Sequence, residues 1–236
     1  MVKYLSDGDS NTKTAKNKRD TLILYLAPLK QNSFGVNMCP KASDGCAAAC
    51  LFTAGRGAFS NVANARIKKT EAFLSNRKAF LNESAQQINK RAANVKQLAV
   101  RLNGTSDVKI VEMLVSLYEI ASNVIFYDYT KIRQKAGRRV LSSGHKYVVT
   151  FSRAEDNEQD ALDVLNSGGI VAVVFDRIPK IWKGFRVVDG DSRDDLMLDV
   201  RGAVVLGLKA KGQARKDVSG FVVNSVLEDT NSNLNL

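Results

Sequence analysis

From residue 98 onward the chain alternates short, continuous apolar runs with helical stretches, and this alternation constrains the fold more than any other feature. A run such as Ile170–Phe175, IVAVVF, has no polar alternation, so it asks to be buried on both faces. Runs of that kind separated by helices are strands of a parallel sheet, because parallel neighbours need a long crossover. The expected strands are Thr21–Leu29, Leu98–Asn103, Val124–Tyr129, Lys146–Phe151, Ile170–Phe175, Phe185–Val188 and Ala203–Leu208. The first helical stretch runs from a cap at Ser60 or Asn61 to near Lys96, with a break expected around Asn82. Further helices are expected over Val108–Ile120, Lys131–Arg139 (short and basic) and Asn157–Asn166, the last closed by Gly168 and Gly169. This pattern predicts an α/β fold, an incomplete parallel (βα) barrel in preference to an open doubly wound sheet. One domain is expected over 21–224, after a polar leader at 1–20 and before a flexible Asn- and Ser-rich tail at 225–236.

With 44% hydrophobic and 25% charged residues, the 236-residue chain is neither disordered nor a disulfide-built miniprotein. No apolar run approaches the roughly 20 residues of a membrane span. The N-terminal stretch lacks an apolar signal core, so no membrane and a cytoplasmic location are expected. Charge is unevenly spread: residues 1–100 hold 16 Lys/Arg against 6 Asp/Glu, and the remainder 19 against 18. A basic half of this kind attracts polyanions, nucleic acid among them, or is simply a solvated surface.

All 3 cysteines fall within one Gly-containing loop after the first strand, Cys39-Pro-Lys-Ala-Ser-Asp-Gly-Cys46-Ala-Ala-Ala-Cys50. In a reducing compartment, disulfides are a poor use for an odd number of cysteines. Closely spaced thiolates can instead converge on one soft metal centre. Three sulfurs can hold three irons of a [4Fe–4S] cluster and leave the fourth open to a small molecule. The alternative is zinc, completed by His145, the only histidine, or by a carboxylate. The cluster is favoured, because the loop has no second C-x2-C pair and zinc's fourth ligand would have to come from far away. A purely structural set of reduced cysteines is the bland alternative.

In α/β barrels the active site lies at the C-terminal ends of the strands. Each expected strand here is followed by polar residues: Asn103–Asp107, Asp128–Lys131, Ser152–Glu155, Asp176-Arg177 and Asp189-Gly190-Asp191. Loops are polar in any protein, so the argument rests on their convergence with the cysteine loop. Asp128, Lys131, Asp189 and Asp191 are the candidate substrate contacts. Gly104 would let backbone N–H groups approach a ligand closely. No GxGxxG or P-loop fingerprint is present. The late basic segment Lys209–Lys216 is a solvated loop or a phosphate contact.

Several stretches together resemble a bacteriophage family, the gene product 88-like proteins. They include Asn11–Lys16, Cys39–Cys50, Thr53–Gly57, Arg101–Asp107, Phe126–Lys131, Val188–Asp191 and Gly207–Gly212. The resemblance implies a phage origin, hence an infected bacterial cytoplasm, and supplies no reaction. The layout is also similar to the radical S-adenosylmethionine (SAM) enzymes, which carry a three-cysteine [4Fe–4S] loop after the first strand of a partial barrel. That likeness implies a cluster on Cys39, Cys46 and Cys50, with SAM held by Asn103, Gly104 and Thr105 and by Ser152 and Arg153. The spacing departs from that family's C-x3-C-x2-C, being C-x6-C-x3-C here, and only one Gly stands where its Gly-rich motif would be. Asp44, inside the lengthened loop, could itself cap the fourth iron. The function expected is therefore a phage iron–sulfur protein that binds or cleaves SAM. The alternative is a nucleic-acid-binding phage protein with a structural zinc or Fe–S site, its surface formed by the basic leader and by Arg66, Lys69 and Arg77.

Overall fold

The computed structural model describes residues 2–8, 12–50, 52 and 55–225. The tail expected at 225–236 lies outside the described residues from 226 onward, as do residues 9–11 of the leader. The chain forms a mixed α/β fold around one open ten-stranded sheet. Its parallel strands are β2 (Asp20–Leu24), β3 (Leu98–Arg101), β4 (Val124–Thr130), β6 (Lys146–Ser152), β7 (Ile170–Phe175), β9 (Phe185–Asp189) and β10 (Val204–Lys209). Three short antiparallel strands flank them: β1 (Leu5–Asp7) on β2, β5 (Gly137–Val140) on β6, and β8 (Ile181–Trp182) on β9. The spatial order is β1-β2-β3-β4-β6-β7-β10-β9-β8. It runs in sequence from β2 to β7 and then inverts, with β10 seated between β7 and β9.

The helices explain which face is which, because side chains alternate along a strand. Leu22, Leu24, Leu98, Val100, Val124, Phe126, Tyr147 and Val149 pack with Phe73 of α2 (Ser60–Ser75), Phe80, Leu81 and Ile88 of α3 (Arg77–Ala92), and Ile110 and Leu114 of α4 (Ile110–Leu117). On the same side of β6, Phe151 joins Val171, Val173 and Phe175 of β7 against Ala161, Val164 and Leu165 of α5 (Glu158–Asn166). The long helices therefore share one face. The opposite face presents Ala99, Tyr127, Val148, Ile170, Ala172, Val204 and Leu206. Met197 and Leu198, from the 3-10 turn Asp194–Leu198 between β9 and β10, cover it.

Three expectations are corrected. The helix break falls at Asn76, whose backbone is non-helical and whose side chain accepts from Ala79 N to start α3, rather than at Asn82. The basic helix expected over Lys131–Arg139 is a 3-10 turn, Arg133–Lys135, followed by β5. β5 pairs with β6 through a tight connection in which Leu141 N donates to His145 O and Gly144 takes a φ of 81°. The leader is not merely polar: Leu5 is buried on β1, and Lys13 and Arg19 reach the 194–199 segment. Lys13 Nζ lies 3.6 Å from Asp194, while Arg19 pairs with Asp195 at 3.0 Å and Asp199 at 2.6 Å. Two of the leader's basic residues are thus spent inside the molecule.

Candidate functional site

The C-terminal ends of the parallel strands gather the polar residues. The loop after β2 carries Cys39, then the short helix α1 (Asp44–Ala48) with Cys46, then Cys50. α1 is held by two side chains. Ser43 accepts from Cys46 N, and Glu155, beyond β6, accepts from Ser43 Oγ (2.8 Å) and Gly45 N (2.6 Å). Burial opposes the Glu155 charge, but these hydrogen bonds and one from its own backbone hold the carboxyl below its ordinary value. The same tie fixes Cys46 against Ala154, Ala210 and Phe221.

None of the cysteines is in a disulfide, and each is half-buried. Burial pushes the Cys39 thiol up to about 11; a backbone hydrogen bond at Leu29 opposes this, while Cys50, Cys46 and Asp107 push the same way. Burial also raises Cys50, with Cys46 adding to it and Arg66 and Lys131 opposing. The three thiols are thus near enough to act on one another, with two cations beside Cys50. They do not close on a common point: no set of three His, Cys, Asp or Glu side chains among the described residues is arranged to hold a metal ion. The donor set suits a soft metal in kind, and a bound metal would have to draw the loop together.

Zinc completed by His145 is ruled out by placement. His145 is buried before β6, at the opposite end of the strands, with Nδ1 2.9 Å from Ser143 Oγ and Nε2 3.1 Å from Ala121 O. Asp44 is exposed at the start of α1.

The expected SAM contacts are placed at this edge but are engaged by the protein itself. A Cβ on Gly104 would meet Tyr25 at 2.6 Å and Leu24 O at 2.7 Å, so its close approach is made to β2 rather than to a ligand. Asn103 is buried and donates to Val108 O and Asp128. Thr105 donates to Leu26 O, and its carbonyl accepts from Cys39 Sγ at 3.6 Å. Arg153 binds Phe221 O, Gly220 O and Glu158. Ser152 accepts from Lys131 Nζ at 3.1 Å.

Of the expected substrate contacts, Lys131 alone faces the cysteines, its ammonium 5.5 Å from the Phe221 ring. Asp128 is a correction: it is only 1% exposed and accepts from Asn103 N, Asn103 Nδ2 and Tyr147 OH. It braces the 103–108 loop from beneath. Burial pushes its carboxyl up to about 7, against Arg101 and the three hydrogen bonds. A carboxyl raised in the folded state contributes stability that is full below its unfolded value near 4 and fades as pH rises through about 7. Asp128→Asn is expected to flatten the pH dependence of unfolding between those limits, read from urea midpoints; an unchanged slope would show that Asp128 ionises freely. Asp189 and Asp191 sit at the β9 end, where Asp191 binds Lys209 N (2.9 Å) and Lys211 Nζ (2.7 Å).

The expected nucleic-acid face is also redrawn. Arg66 turns inward, its guanidinium 5.2 Å from the Tyr25 ring centroid and 5.5 Å from that of Phe52. Burial lowers the pKa of Lys69, with Arg66 and Lys3 adding to it. Arg77 is exposed and lies over Phe73.

One group escaped sequence reasoning. On the face opposite the helices, Arg101 binds Asp194 at 3.1 Å and stacks 4.6 Å from the Tyr129 ring, while Tyr127 OH donates to Asp194 at 2.9 Å. Burial opposes the charge of Arg101, yet Asp194 and the tyrosines raise its pKa. The signal was present: Arg101 is a charge in an otherwise apolar strand, and Tyr127 and Tyr129 alternate along β4. A cavity of about 300 Å³, lined by Arg133, Arg138 and Ser167 among others, lies where β7 begins, away from the cysteines, and shares none of this chemistry.

Among the described residues no helix is long and apolar enough to cross a membrane. No curated protein matches the chain, and no solved structure does. The model of a bacteriophage family, gene product 88, matches residues 4–225, which takes in all three cysteines and every strand and helix named above; the chain belongs to that family.

Proposed function

We propose that Cys39, Cys46 and Cys50 hold a soft-metal centre, a [4Fe–4S] cluster first and zinc second, at the mouth of a partial barrel, in a phage protein acting in the infected host's cytoplasm. The observation that carries this reading is the gathering of the chain's three thiols on one strand-end edge, with Arg66 and Lys131 beside Cys50 to offset thiolate charge. The one-sided helix cover and the sequential order from β2 to β7 support a barrel wall, since a doubly wound sheet carries helices on both faces. A cluster there would supply one-electron or Lewis-acid chemistry at its open iron. The residues of this chain then have definite parts. Glu155 and Ser43 fix α1, Thr105 O orients the Cys39 thiol, and Lys131 presents a cation to the mouth.

SAM is the ligand the radical-enzyme resemblance implies. Asn103, Gly104 and Arg153 are engaged by the fold, so SAM would have to be held by Thr105, Ser152 and the open iron. The test is anaerobic expression with iron supplied, followed by iron, sulfide and zinc analysis, and then a SAM titration. The cluster reading expects about three to four irons with matching sulfide per chain. Zinc alone would move the proposal to a structural site, and neither metal would end it.

A further inference from the structure

We propose that the mouth carries a subsite for the anionic group of a small molecule, a carboxylate or a phosphate, formed by Arg66 of α2 and Arg101 of β3 on either side of Tyr25. It stands on the arginine geometry and does not depend on the metal.

Arg66 is a partly buried cation with no carboxylate paired to it among the described residues. Its Nη1 is buried and has no hydrogen-bond partner, and no ion pair holds it among the described residues. The two groups that favour its charge are Tyr25 and Cys50, and burial outweighs them to lower its pKa. The rings of Tyr25 and Phe52 lie against the guanidinium at 5.2 and 5.5 Å. Rings satisfy the faces of a guanidinium and leave its N–H edge to be met in plane. That edge matches the two oxygens of a carboxylate or phosphate.

Arg101 extends the positive field from the other side. It acts on Tyr25, and its Nε is likewise buried without a partner. Asp194 neutralises Arg101 but is shared with Lys13. Of the three cations around Tyr25, Arg101 and Lys13 are served by Asp194, with Asp191 also acting on Lys13, and Arg66 is left without a carboxylate. A buried excess of positive charge is costly, and a bound anion is the economical remedy. Cys50 as a thiolate could offset Arg66 instead, and the experiment separates the two.

The experiment titrates the full chain with inorganic phosphate and, separately, acetate, in low-chloride buffer, before and after chelator treatment. Calorimetry gives affinity, and the arginine side-chain amide resonances report the site. Binding at millimolar ligand is expected, surviving chelation, with the Arg66 resonance shifting. Arg66→Gln should weaken it by about tenfold or more, the loss of a charge-assisted fork. Arg77→Gln, on an exposed arginine, should change neither anion binding nor metal content. The stronger of the two anions names the ligand class. Binding that vanishes on chelation would assign the anion to the metal and overturn the subsite. So would binding that leaves the Arg66 resonance unmoved in the wild-type chain, a test that holds even if the variant fails to fold. Anion binding that appears only in Cys50→Ala would show the thiolate to be the counter-ion, and no binding of either anion would end the proposal.

Discussion

Replacing Asp194 by alanine is expected to cost about 3–5 kcal/mol of folding stability, because it leaves Arg101 as a buried charge without its partner. Asp194 is 3% exposed and meets Arg101, Lys13 and Tyr127, and its backbone N–H donates to Asn17 Oδ1. Domains of this size carry roughly 5–15 kcal/mol in total, so the loss is a large share. The network also pins the leader and the 194–198 turn onto the face that lacks helices, and both should loosen together. Urea denaturation followed by circular dichroism gives the value. Asp194→Asn keeps the volume and an acceptor for Tyr127, and should fall between the alanine variant and the native chain. Replacing Arg101 and Asp194 together by leucine should recover much of the loss, since an apolar pair carries no desolvation cost. A shift under about 1 kcal/mol for Asp194→Ala would place it among ordinary surface substitutions and contradict the anchoring role.

Alanine at any one of Cys39, Cys46 or Cys50 is expected to remove most of the bound metal. Three ligands from one loop bind cooperatively, and losing one releases the loop. The loss of stability should be large in metal-loaded protein and small after chelation, because the loop holds little apolar core of its own. Metal analysis beside paired thermal melts reads both effects. Cys46 is the most informative position: Glu155 and Ser43 still anchor α1 in Cys46→Ala, so metal loss there reports ligation rather than local unfolding. A variant that keeps its full metal complement would remove that cysteine from the ligand set.

The strands β2, β3, β4, β6, β7 and β10 were legible because a strand buried on both faces writes itself as a largely apolar run such as IVAVVF, and β9, half-exposed, was legible from its apolar residues Phe185, Val187 and Val188. β1, β5 and β8 were not. They are two to four residues long, half-exposed, and rich in residues such as Asp7, Arg138 and Arg139 that read as loop or helix. Nor could periodicity show that β10 sits inside β9: spatial order is decided by where the 190–203 connection lies, and it lies across the sheet through Met197 and Leu198. At the site, the sequence shows the three cysteines in one loop after the first strand, and their side chains lie near one another without closing on a common point. The direction of Asp128 was not legible, because an aspartate near a strand's end looks the same whether it faces solvent or braces a loop. Arg101 in LAVRL was missed although its signal stood in the sequence: a charge inside an apolar strand needs a buried partner, and Asp194 supplies it from 93 residues away.

X-ray absorption at the metal edge of anaerobically purified protein tests the three-thiolate centre most directly. The account predicts iron, or zinc in its second form, with metal–sulfur scattering near ~2.3 Å that weakens in each cysteine variant. A metal ringed only by nitrogen and oxygen, or sulfur scattering that survives the loss of all three cysteines, would contradict it.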